Sequence, residues 1–320
     1  MTGTRFRIGR PFSRREILAL GAGIGVAATF RNAPSFAATG PILSRPVPRT
    51  GEWLPVVGLG TAIVFDIGDD AARRAERRAV IQTMLESGGR VIDTAPSYGT
   101  AEVVVGDLLA AAGTRAKVFL ATKVRVAGRE DAIAEMKASL QRLRSDKLDL
   151  MQIHNPGIDM NATSAQLALL REWKAKGVFR YIGVTHFREE ANERLIELMR
   201  RQKLDFVQVN YSMAERNAER RLLPAAAETG TAVLVNLPFA RGKLFSAVRG
   251  KQLPEWAAEF EAASWGQFFL KYILAHQAVT CVIPGTDKPE YMLDNLNAGR
   301  GRLPDAAMRR KMTEFLDSFR

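Results

Sequence analysis

Short apolar runs alternate with longer amphipathic stretches along most of the chain. The short runs are rich in β-branched residues and are bounded by Gly, Pro, Asn or Asp, which is typical of buried strands. Eight strands are predicted in this way, at residues 56–60, 91–93, 118–123, 148–154, 181–185, 206–210, 232–236 and 279–283.

Helices are predicted between and after these strands, where apolar residues recur with helical spacing. In one of them an apolar face that would cover a sheet is formed by Ile133, Met136, Leu140 and Leu143. The predicted helices span residues 71–87, 101–112, 129–143, 164–176, 189–201, 220–229, 264–276, 289–298 and 305–319.

A strand followed by a helix, repeated eight times, is the pattern of a (β/α)8 TIM barrel. We therefore predict a single-domain α/β barrel over residues 53–320, preceded by a proline-rich linker or short hairpin at 38–52. An open, doubly wound sheet is the alternative. The segment Gly58-Leu59-Gly60-Thr61 lacks the third glycine of a dinucleotide-binding fingerprint, which argues against that sheet. We interpret these glycines as close packing at the barrel mouth.

Residues 1–37 have the composition of a targeting segment. Six arginines and one glutamate supply five of the twelve net positive charges of the chain. The pair Arg14-Arg15 precedes a mildly apolar, Gly/Ala-rich run, and small residues precede a cleavage point after Ala37. This pattern resembles a twin-arginine signal peptide, so we predict export to the periplasm with the twin-arginine machinery as a partner. The alternatives are an amphipathic or disordered tail, which leaves the protein cytoplasmic, and an uncleaved anchor.

The rest of the chain carries a net charge of +7 that is dispersed along the predicted helices. Such a surface could favour anionic ligands, but it contains no nucleic-acid-binding motif. No apolar stretch of the mature chain is long enough to predict a stable membrane span. The one cysteine, Cys281, lies among apolar residues, so we interpret it as a buried strand residue and not as a nucleophile.

Polar residues stand at the ends of three neighbouring predicted strands. Asp93 ends the second strand and Tyr98 lies in the following loop, while Lys123 ends the third strand and His154 the fourth. In a parallel barrel these ends meet at one mouth, where chemistry is done. Taken alone, the pattern favours a structural role, in which Asp93 caps the helix or turn and Tyr98 is a half-buried loop aromatic.

Around these positions the chain resembles the aldo-keto reductase family. The resemblance covers about residues 53–298, and the combination of its motifs is specific although no single motif is. The matching segments are Gly58-Leu59-Gly60-Thr61, Asp93-Thr94-Ala95-Pro96-Ser97-Tyr98-Gly99, Ala121-Thr122-Lys123, Gln152-Ile153-His154, Ile182-Gly183-Val184-Thr185, Gln208-Val209-Asn210-Tyr211-Ser212 and Val282-Ile283-Pro284-Gly285-Thr286.

The resemblance implies that Asp93, Tyr98, Lys123 and His154 form the catalytic tetrad of an oxidoreductase. Such an enzyme uses NAD(P)H to reduce aldehyde or ketone carbonyls to alcohols, or runs the reverse reaction. A lysine cation beside a phenol favours phenolate, so Lys123 would assist proton transfer by Tyr98. Asp93 would hold Lys123 charged, and His154 would orient the carbonyl. A cofactor must supply the hydride because no side chain can, and no Cys/His spacing suggests a metal site.

The resemblance also implies a nicotinamide cofactor site, which the chain matches in part. Thr185 and His186 stand where the family holds the carboxamide with a Ser-Asn pair, and Gln208 matches the family's glutamine. His186 could contact the carboxamide, reach the pyrophosphate when protonated or simply pack, and we predict a cofactor contact. Asn236 replaces the aromatic residue that stacks on the nicotinamide. The next residues match the pyrophosphate-covering loop: Leu237, Pro238, Phe239, Arg241, Gly242 and Lys243.

At the adenosine end the family's phosphate site corresponds to Gly285, Thr286 and Lys288, and its adenine-binding pair to Asp294 and Asn295. Tyr291 replaces an arginine that faces the 2′-phosphate in many members. A lysine is a poorer partner than a guanidinium for a phosphate, so Lys288 compensates only in part. NADP(H) is the predicted cofactor, and NAD(H) is the alternative.

The predicted partner is a small carbonyl or alcohol substrate. Its pocket has four aromatic candidates, which could equally be core residues: Trp53, Phe65, Phe187 and Phe239. The altered cofactor positions keep a second function open, that of a nicotinamide-nucleotide-binding sensor or accessory protein with little turnover.

Overall fold

The computed structural model describes residues 40–319, so the predicted signal peptide at 1–37 lies outside the described residues. Within that range ten short strands form two sheets. They are β1 (Ser44–Pro46), β2 (Trp53–Pro55), β3 (Leu59–Gly60), β4 (Val91–Asp93), β5 (Phe119–Val124), β6 (Leu148–His154), β7 (Phe179–His186), β8 (Phe206–Asn210), β9 (Ala232–Asn236) and β10 (Val279–Val282).

Ten α-helices lie in the same range of the chain. They are α1 (Ala71–Glu86), α2 (Ala101–Ala111), α3 (Arg129–Arg142), α4 (Met160–Ala175), α5 (Asn192–Gln202), α6 (Leu222–Thr229), α7 (Lys243–Ala247), α8 (Trp265–Leu274), α9 (Pro289–Asn297) and α10 (Ala306–Asp317). Side-chain caps accept backbone N–H groups at the starts of α1, α4, α8 and α10, and they come from Asp70, Asp159, Ser264 and Asp305.

Strands β3 to β10 form one parallel sheet in chain order that closes on itself. Parallel bridges join Val57 to Val282 and Gly60 to Gly285, which connects the first strand to the last. Helices follow the strands and cover the outer face of the sheet. The prediction of a single-domain (β/α)8 barrel is therefore confirmed.

The bounds of β4, β6, β8 and β9 are those predicted from the apolar runs. The first barrel strand is shorter than predicted, because Val57 joins the sheet by a single bridge and only Leu59 and Gly60 form a ladder. Strand β7 begins earlier than predicted because Phe179 already pairs with Leu148 of β6.

Two glycines allow the first barrel strand to fit between its neighbours. A Cβ atom added to Gly58 would lie 2.7 Å from the carbonyl oxygen of Val91, and one added to Gly60 would lie 2.6 Å from that of Ile283. Both distances are shorter than van der Waals contact, so a side chain at either position would push the strands apart. The interpretation of these glycines as close-packing residues is confirmed.

The barrel interior is filled by inward-facing side chains at its closed end, where Phe119, Tyr181 and Phe206 contact one another with ring centroids 5.3–5.9 Å apart. A second, larger apolar core lies between the sheet and the helices. Cys281 is fully buried in β10, as predicted, and burial raises the pKa of its thiol.

The antiparallel hairpin β1–β2 lies at the closed end of the barrel. Its Leu54 packs into the interior cluster, and Arg45 donates hydrogen bonds to the carbonyl oxygens of Leu274, His276 and Val279. Trp53 belongs to this hairpin and is 62% exposed. The suggestion that Trp53 lines the substrate pocket is therefore wrong, because the residue lies at the end of the barrel opposite to the mouth.

Three short elements after β9 were not expected from the sequence pattern, namely a 3₁₀-helix at Ala240–Gly242, α7 and a 3₁₀-helix at Glu255–Phe260. Each is too short for its apolar residues to show helical periodicity. Across residues 40–319, no helix has the length and apolar character that crossing a membrane requires.

Candidate active site

Polar side chains replace apolar ones at the mouth of the barrel. Successive residues of a strand point to opposite faces, so residues two apart share the interior. On β6, Leu150 belongs to the interior apolar cluster, and the next residues on that face are Gln152 and His154. The same change from apolar to polar occurs on β4, β5, β7, β8 and β9. Their inward-facing polar residues near the mouth are Asp93, Lys123, Thr185, Gln208, Asn210 and Asn236.

A buried ion pair lies at the centre of this polar layer. The Nζ atom of Lys123 donates to Asp93 Oδ2 at 2.6 Å and to the carbonyl oxygen of Thr94 at 2.7 Å, and the lysine side chain is fully buried. Burial alone would lower the pKa of Lys123, but the Asp93 carboxylate and the Tyr98 oxygen outweigh burial and raise this pKa. Lys123 is therefore a permanent cation at neutral pH.

Two amides hold the other oxygen of the same carboxylate. Gln152 Nε2 donates to Asp93 Oδ1 at 3.1 Å, and Gln208 Nε2 donates to it at 2.8 Å from across the barrel. Gln152 is not among the predicted site residues, although it lies in the family-like segment Gln152-Ile153-His154. Its position two residues before His154 places both side chains on the inner face of β6.

Tyr98 lies beside Lys123 and His154, in the loop between β4 and α2. The Lys123 Nζ atom is 4.9 Å from the centre of the tyrosine ring, and the His154 ring meets it edge-on at 6.1 Å. The loop is anchored by Asp66, which accepts hydrogen bonds from the backbone N–H and the hydroxyl of Thr100. The structure thus brings together all four residues of the predicted tetrad.

His154 is held in its neutral form. Burial, followed by the positive charge of Lys123, lowers the pKa of His154 to about 3. A neutral imidazole carries one N–H donor. His154 is thus suited to donating a hydrogen bond at neutral pH but not to carrying a charge.

The residues predicted to hold the carboxamide lie next to this group. Thr185 Oγ1 donates to Gln208 Oε1 at 3.0 Å, and Asn236 Nδ2 lies 3.5 Å from the same oxygen. No donor among residues 40–319 reaches the buried Asn236 Oδ1. Gln208 retains a second N–H, so Asn236 and Gln208 together offer an amide ligand both an acceptor and a donor.

His186 lies at the edge of the mouth, stacked on Phe187 with 11° between the ring planes. Its Nδ1 atom accepts the backbone N–H of Arg188 at 3.1 Å, which leaves Nε2 as the donor of the neutral ring. Burial, followed by Arg194, lowers the pKa of His186. Of the predicted contacts, these observations favour donation to a carboxamide over attraction of an anion by a charged imidazole.

The loop after β9 has an unusual backbone. Leu237, Ala240 and Arg241 have φ angles of 50°, 48° and 55°, in the left-handed region that non-glycine residues seldom adopt, and Gly242 follows at 83°. The Arg241 guanidinium lies 5.7 Å from the centre of the Phe187 ring. Strain of this kind is typical of functional loops.

A cavity of about 340 Å³ lies between this loop and the end of β7, and its wall includes Phe187, Arg188, Leu237, Arg241 and Lys243. No carboxylate of the described chain forms an ion pair with Arg241 or Lys243. Among the other predicted loop residues, Pro238 is buried and Phe239 packs on Phe245 with ring centroids 4.8 Å apart. The two cations are therefore available to an anionic ligand, in a cavity that Glu189, Glu190 and Glu215 also line.

The predicted adenosine site lies at the start of α9. Thr286 is buried and accepts a hydrogen bond from Asn295 at 3.1 Å, while Gly285 and Lys288 are exposed. The Nζ atom of Lys288 lies 5.6 Å from the centre of the Tyr291 ring. Asp294 already accepts hydrogen bonds from Ser264 Oγ and Gln267 Nε2, both at 2.7 Å, which ties α9 to the start of α8.

The sequence pattern of the Aldo/keto reductase family matches residues 56–313. The chain belongs to this family. The match begins just before the first barrel strand and ends within the last helix, so it includes every residue of the site described above.

Individual relatives cover most of the chain. Methylglyoxal reductase YeaE of Escherichia coli K12 is 33% identical over 72% of this chain and 80% of its own length. An NADH-specific methylglyoxal reductase of the same organism is 27% identical over 85% of this chain and 98% of its own length. The crystal structure of an aldo-keto reductase from Klebsiella pneumoniae in complex with NADPH superposes with a TM-score of 0.71 at 25% identity, covering 83% of this chain and 92% of that chain.

Proposed function

We propose that this aldo/keto reductase family member is an NAD(P)H-dependent oxidoreductase that reduces aldehyde or ketone carbonyls to alcohols, or catalyses the reverse reaction. The observation that carries the proposal is the buried Lys123–Asp93 ion pair, which faces the Tyr98 ring beside a neutral His154. Membership of the family and the likeness to a reductase structure with NADPH support it.

In this proposal Tyr98 donates the proton that converts the substrate oxygen into a hydroxyl. The fixed cation of Lys123 stabilises negative charge on the phenol oxygen as the proton leaves. His154 donates a hydrogen bond that holds the carbonyl oxygen in reach of Tyr98. A nicotinamide cofactor, when bound, supplies the hydride.

The residues present fit such a cofactor. The unpaired Asn236 Oδ1 and the second N–H of Gln208 suit the carboxamide, with Thr185 and His186 next to them. The free cations Arg241 and Lys243 suit the pyrophosphate, while Gly285, Thr286 and Lys288 would hold the adenosine phosphate. NADP(H) is the proposed cofactor, and NAD(H) is the alternative because Tyr291 takes an arginine's place.

The first experiment is titration of the protein with NADPH and NADH, followed by reduction of a carbonyl panel that includes methylglyoxal, because relatives are methylglyoxal reductases. We expect nucleotide binding by both the wild type and Tyr98→Phe, with reduction lost only in the variant. Binding without turnover on any carbonyl would instead favour the sensor or accessory function, which the replacements at Asn236 and Tyr291 support. Absence of binding would contradict both functions.

We further propose that residues 1–37 are a twin-arginine signal and that the mature chain acts in the periplasm. This proposal rests on the sequence pattern alone. Cell fractionation of the wild type and of an Arg14→Lys, Arg15→Lys double variant tests it, since loss of the arginine pair should retain the protein in the cytoplasm. An exported reductase needs tightly held cofactor, so protein from the periplasm should keep its nucleotide through dialysis.

A further inference from the structure

The Asp93 carboxylate is surrounded by donors from three other strands. Lys123 on β5 occupies Oδ2, while Gln152 on β6 and Gln208 on β8 share Oδ1. All four residues are at most 2% exposed. Because water does not reach them, each hydrogen bond acts in a medium of low dielectric constant, where its electrostatic effect is large.

The two amides differ in what else they can do. Gln208 also accepts from Thr185 and lies beside Asn236, among the residues proposed to hold the carboxamide. Gln152 has no such neighbours, and the only hydrogen bond of its side chain within residues 40–319 is the one to Asp93.

The orientation of the Gln152 amide follows from this contact. Turning the amide over would place Oε1 against the carboxylate, so Nε2 must face Asp93. As a result Oε1 is buried without a donor from the described residues, which destabilises the fold. Leu150, one layer below on the same face, fills the barrel without that cost. A buried polar residue that costs stability at a position where an apolar residue would fit points to a role in the site.

We propose that Gln152 is a positioning residue that sets the proton affinity of the Lys123–Tyr98 pair through Asp93. Its N–H draws negative charge towards Oδ1, which is the oxygen turned away from Lys123. Less of the lysine's positive charge is then cancelled by Asp93, and more of it acts on the phenol of Tyr98. Gln152 touches neither the substrate nor the cofactor in this role, which rests on the proposed function.

The test compares Gln152→Leu with Gln166→Leu, the same change at a glutamine on α4 that donates to the Val126 carbonyl oxygen. In Gln152→Leu we expect the pKa that defines the alkaline limb of the pH profile of kcat/KM to rise by about one unit. A shift of this size corresponds to the free energy of about one hydrogen bond to a charged group. The affinity for NADPH should not change. Gln166→Leu should alter neither quantity, whereas Gln208→Leu should alter both.

A second readout needs no turnover and separates this proposal from the proposed function. In protein labelled with ¹⁵N-lysine, the Nζ resonance of Lys123, assigned with Lys123→Met, should shift in Gln152→Leu and stay in place in Gln166→Leu. Gln152→Glu should restore the wild-type limb and resonance, because repulsion from Asp93 keeps the new carboxyl protonated and able to donate. If Gln152→Leu does not fold, Gln152→Glu is compared with Gln152→Met. The proposal is overturned if folded Gln152→Leu or Gln152→Met shows the wild-type alkaline limb of kcat/KM and the wild-type Lys123 Nζ resonance. This holds even if the variant is an active enzyme.

Discussion

Two lysines are completely buried in the described part of this protein, and their surroundings differ. Lys123 lies at the barrel mouth against the Asp93 carboxylate, and its pKa is raised. Lys271 on α8 lies in the outer layer, where it donates only to the carbonyl oxygens of Arg300 and Arg302, at 2.6 and 2.9 Å. Burial lowers its pKa to about 8, although Glu261 opposes this change.

The comparison shows that hydrogen bonds to carbonyl oxygens accommodate a buried amine but do not prevent burial from lowering its pKa. Carbonyl oxygens accept hydrogen bonds from Lys271, yet these bonds do not fully offset the free-energy cost of removing an ammonium ion from water. A carboxylate 2.6 Å away does so for Lys123. The mouth therefore holds a cation whose charge does not vary over the physiological pH range, which is what stabilisation of a phenolate requires.

The largest expected effect separates the two lysines by activity. Lys123→Met should lower kcat/KM for carbonyl reduction by about 10²–10⁴-fold, the usual range for loss of a group that assists proton transfer. Lys271→Met should leave kcat/KM within a factor of a few, because Lys271 donates only to the carbonyl oxygens of Arg300 and Arg302, which lie outside the site. Steady-state kinetics at saturating NADPH measure kcat/KM of both variants. Equal losses of kcat/KM would contradict the idea that only Lys123 acts in the reaction.

The next effect concerns the stability that depends on Asp93. Asp93→Asn leaves Lys123 buried without a carboxylate, and removing one partner of a buried pair costs about 3–5 kcal/mol of unfolding free energy. Urea unfolding at pH 7 measures the loss. Glu197→Gln, which removes the exposed pair with Arg201, should cost less than about 1 kcal/mol. A loss of similar size in both variants would show that the buried ion pair contributes no more to the unfolding free energy than the exposed one.

A smaller effect is the pH dependence caused by Lys271. Its pKa is about 8 in the folded protein, against 10.5 for an ordinary lysine. Between these two pH values the unfolded chain therefore binds more protons than the folded protein does. The stabilising contribution of the neutral amine is therefore fully present above pH 10.5 and is lost as the pH falls through 8. The unfolding free energy changes by about 3 kcal/mol over this range. Unfolding free energies of the wild type and Lys271→Met at pH 7.5 and 10 measure this contribution. A constant difference between the two proteins would contradict the lowered pKa.

The smallest effect is the influence of Lys123 on its neighbour. The pKa of His154 is about 3 mainly because the ring is buried, with Lys123 as the second cause. In Lys123→Met this pKa should rise but stay below the ordinary value of about 6.5. Imidazole NMR titration measures it, with His276, on the far side of the barrel sheet, as an internal reference. A His154 pKa that returned to 6.5 would show that charge and not burial dominates.

The sequence was sufficient to predict the eight-stranded barrel and the convergence of four strand-end residues. Asp93, Lys123 and His154 each end an apolar run, and parallel strands in a closed sheet bring such ends to one mouth. The local pattern of apolar and polar residues and the order of the elements along the chain are enough for this prediction. The proposed roles of these residues, and of the cofactor positions, stay predictions until the variants are measured.

Other properties depend on contacts between residues that are far apart along the chain. Gln208 donates a hydrogen bond to Asp93, which is 115 residues away along the chain. Lys271 donates to carbonyl oxygens of a segment that begins 29 residues later. The pattern of apolar and polar residues shows that a glutamine or a lysine interrupts a buried face, but not which groups surround it. Burial and the charge of the nearest partner determine whether an amine stays charged, and both arise only when the chain has folded. The sequence thus specified the architecture and the place of the site, whereas the electrostatic character of each buried group came from the packing of distant strands and helices.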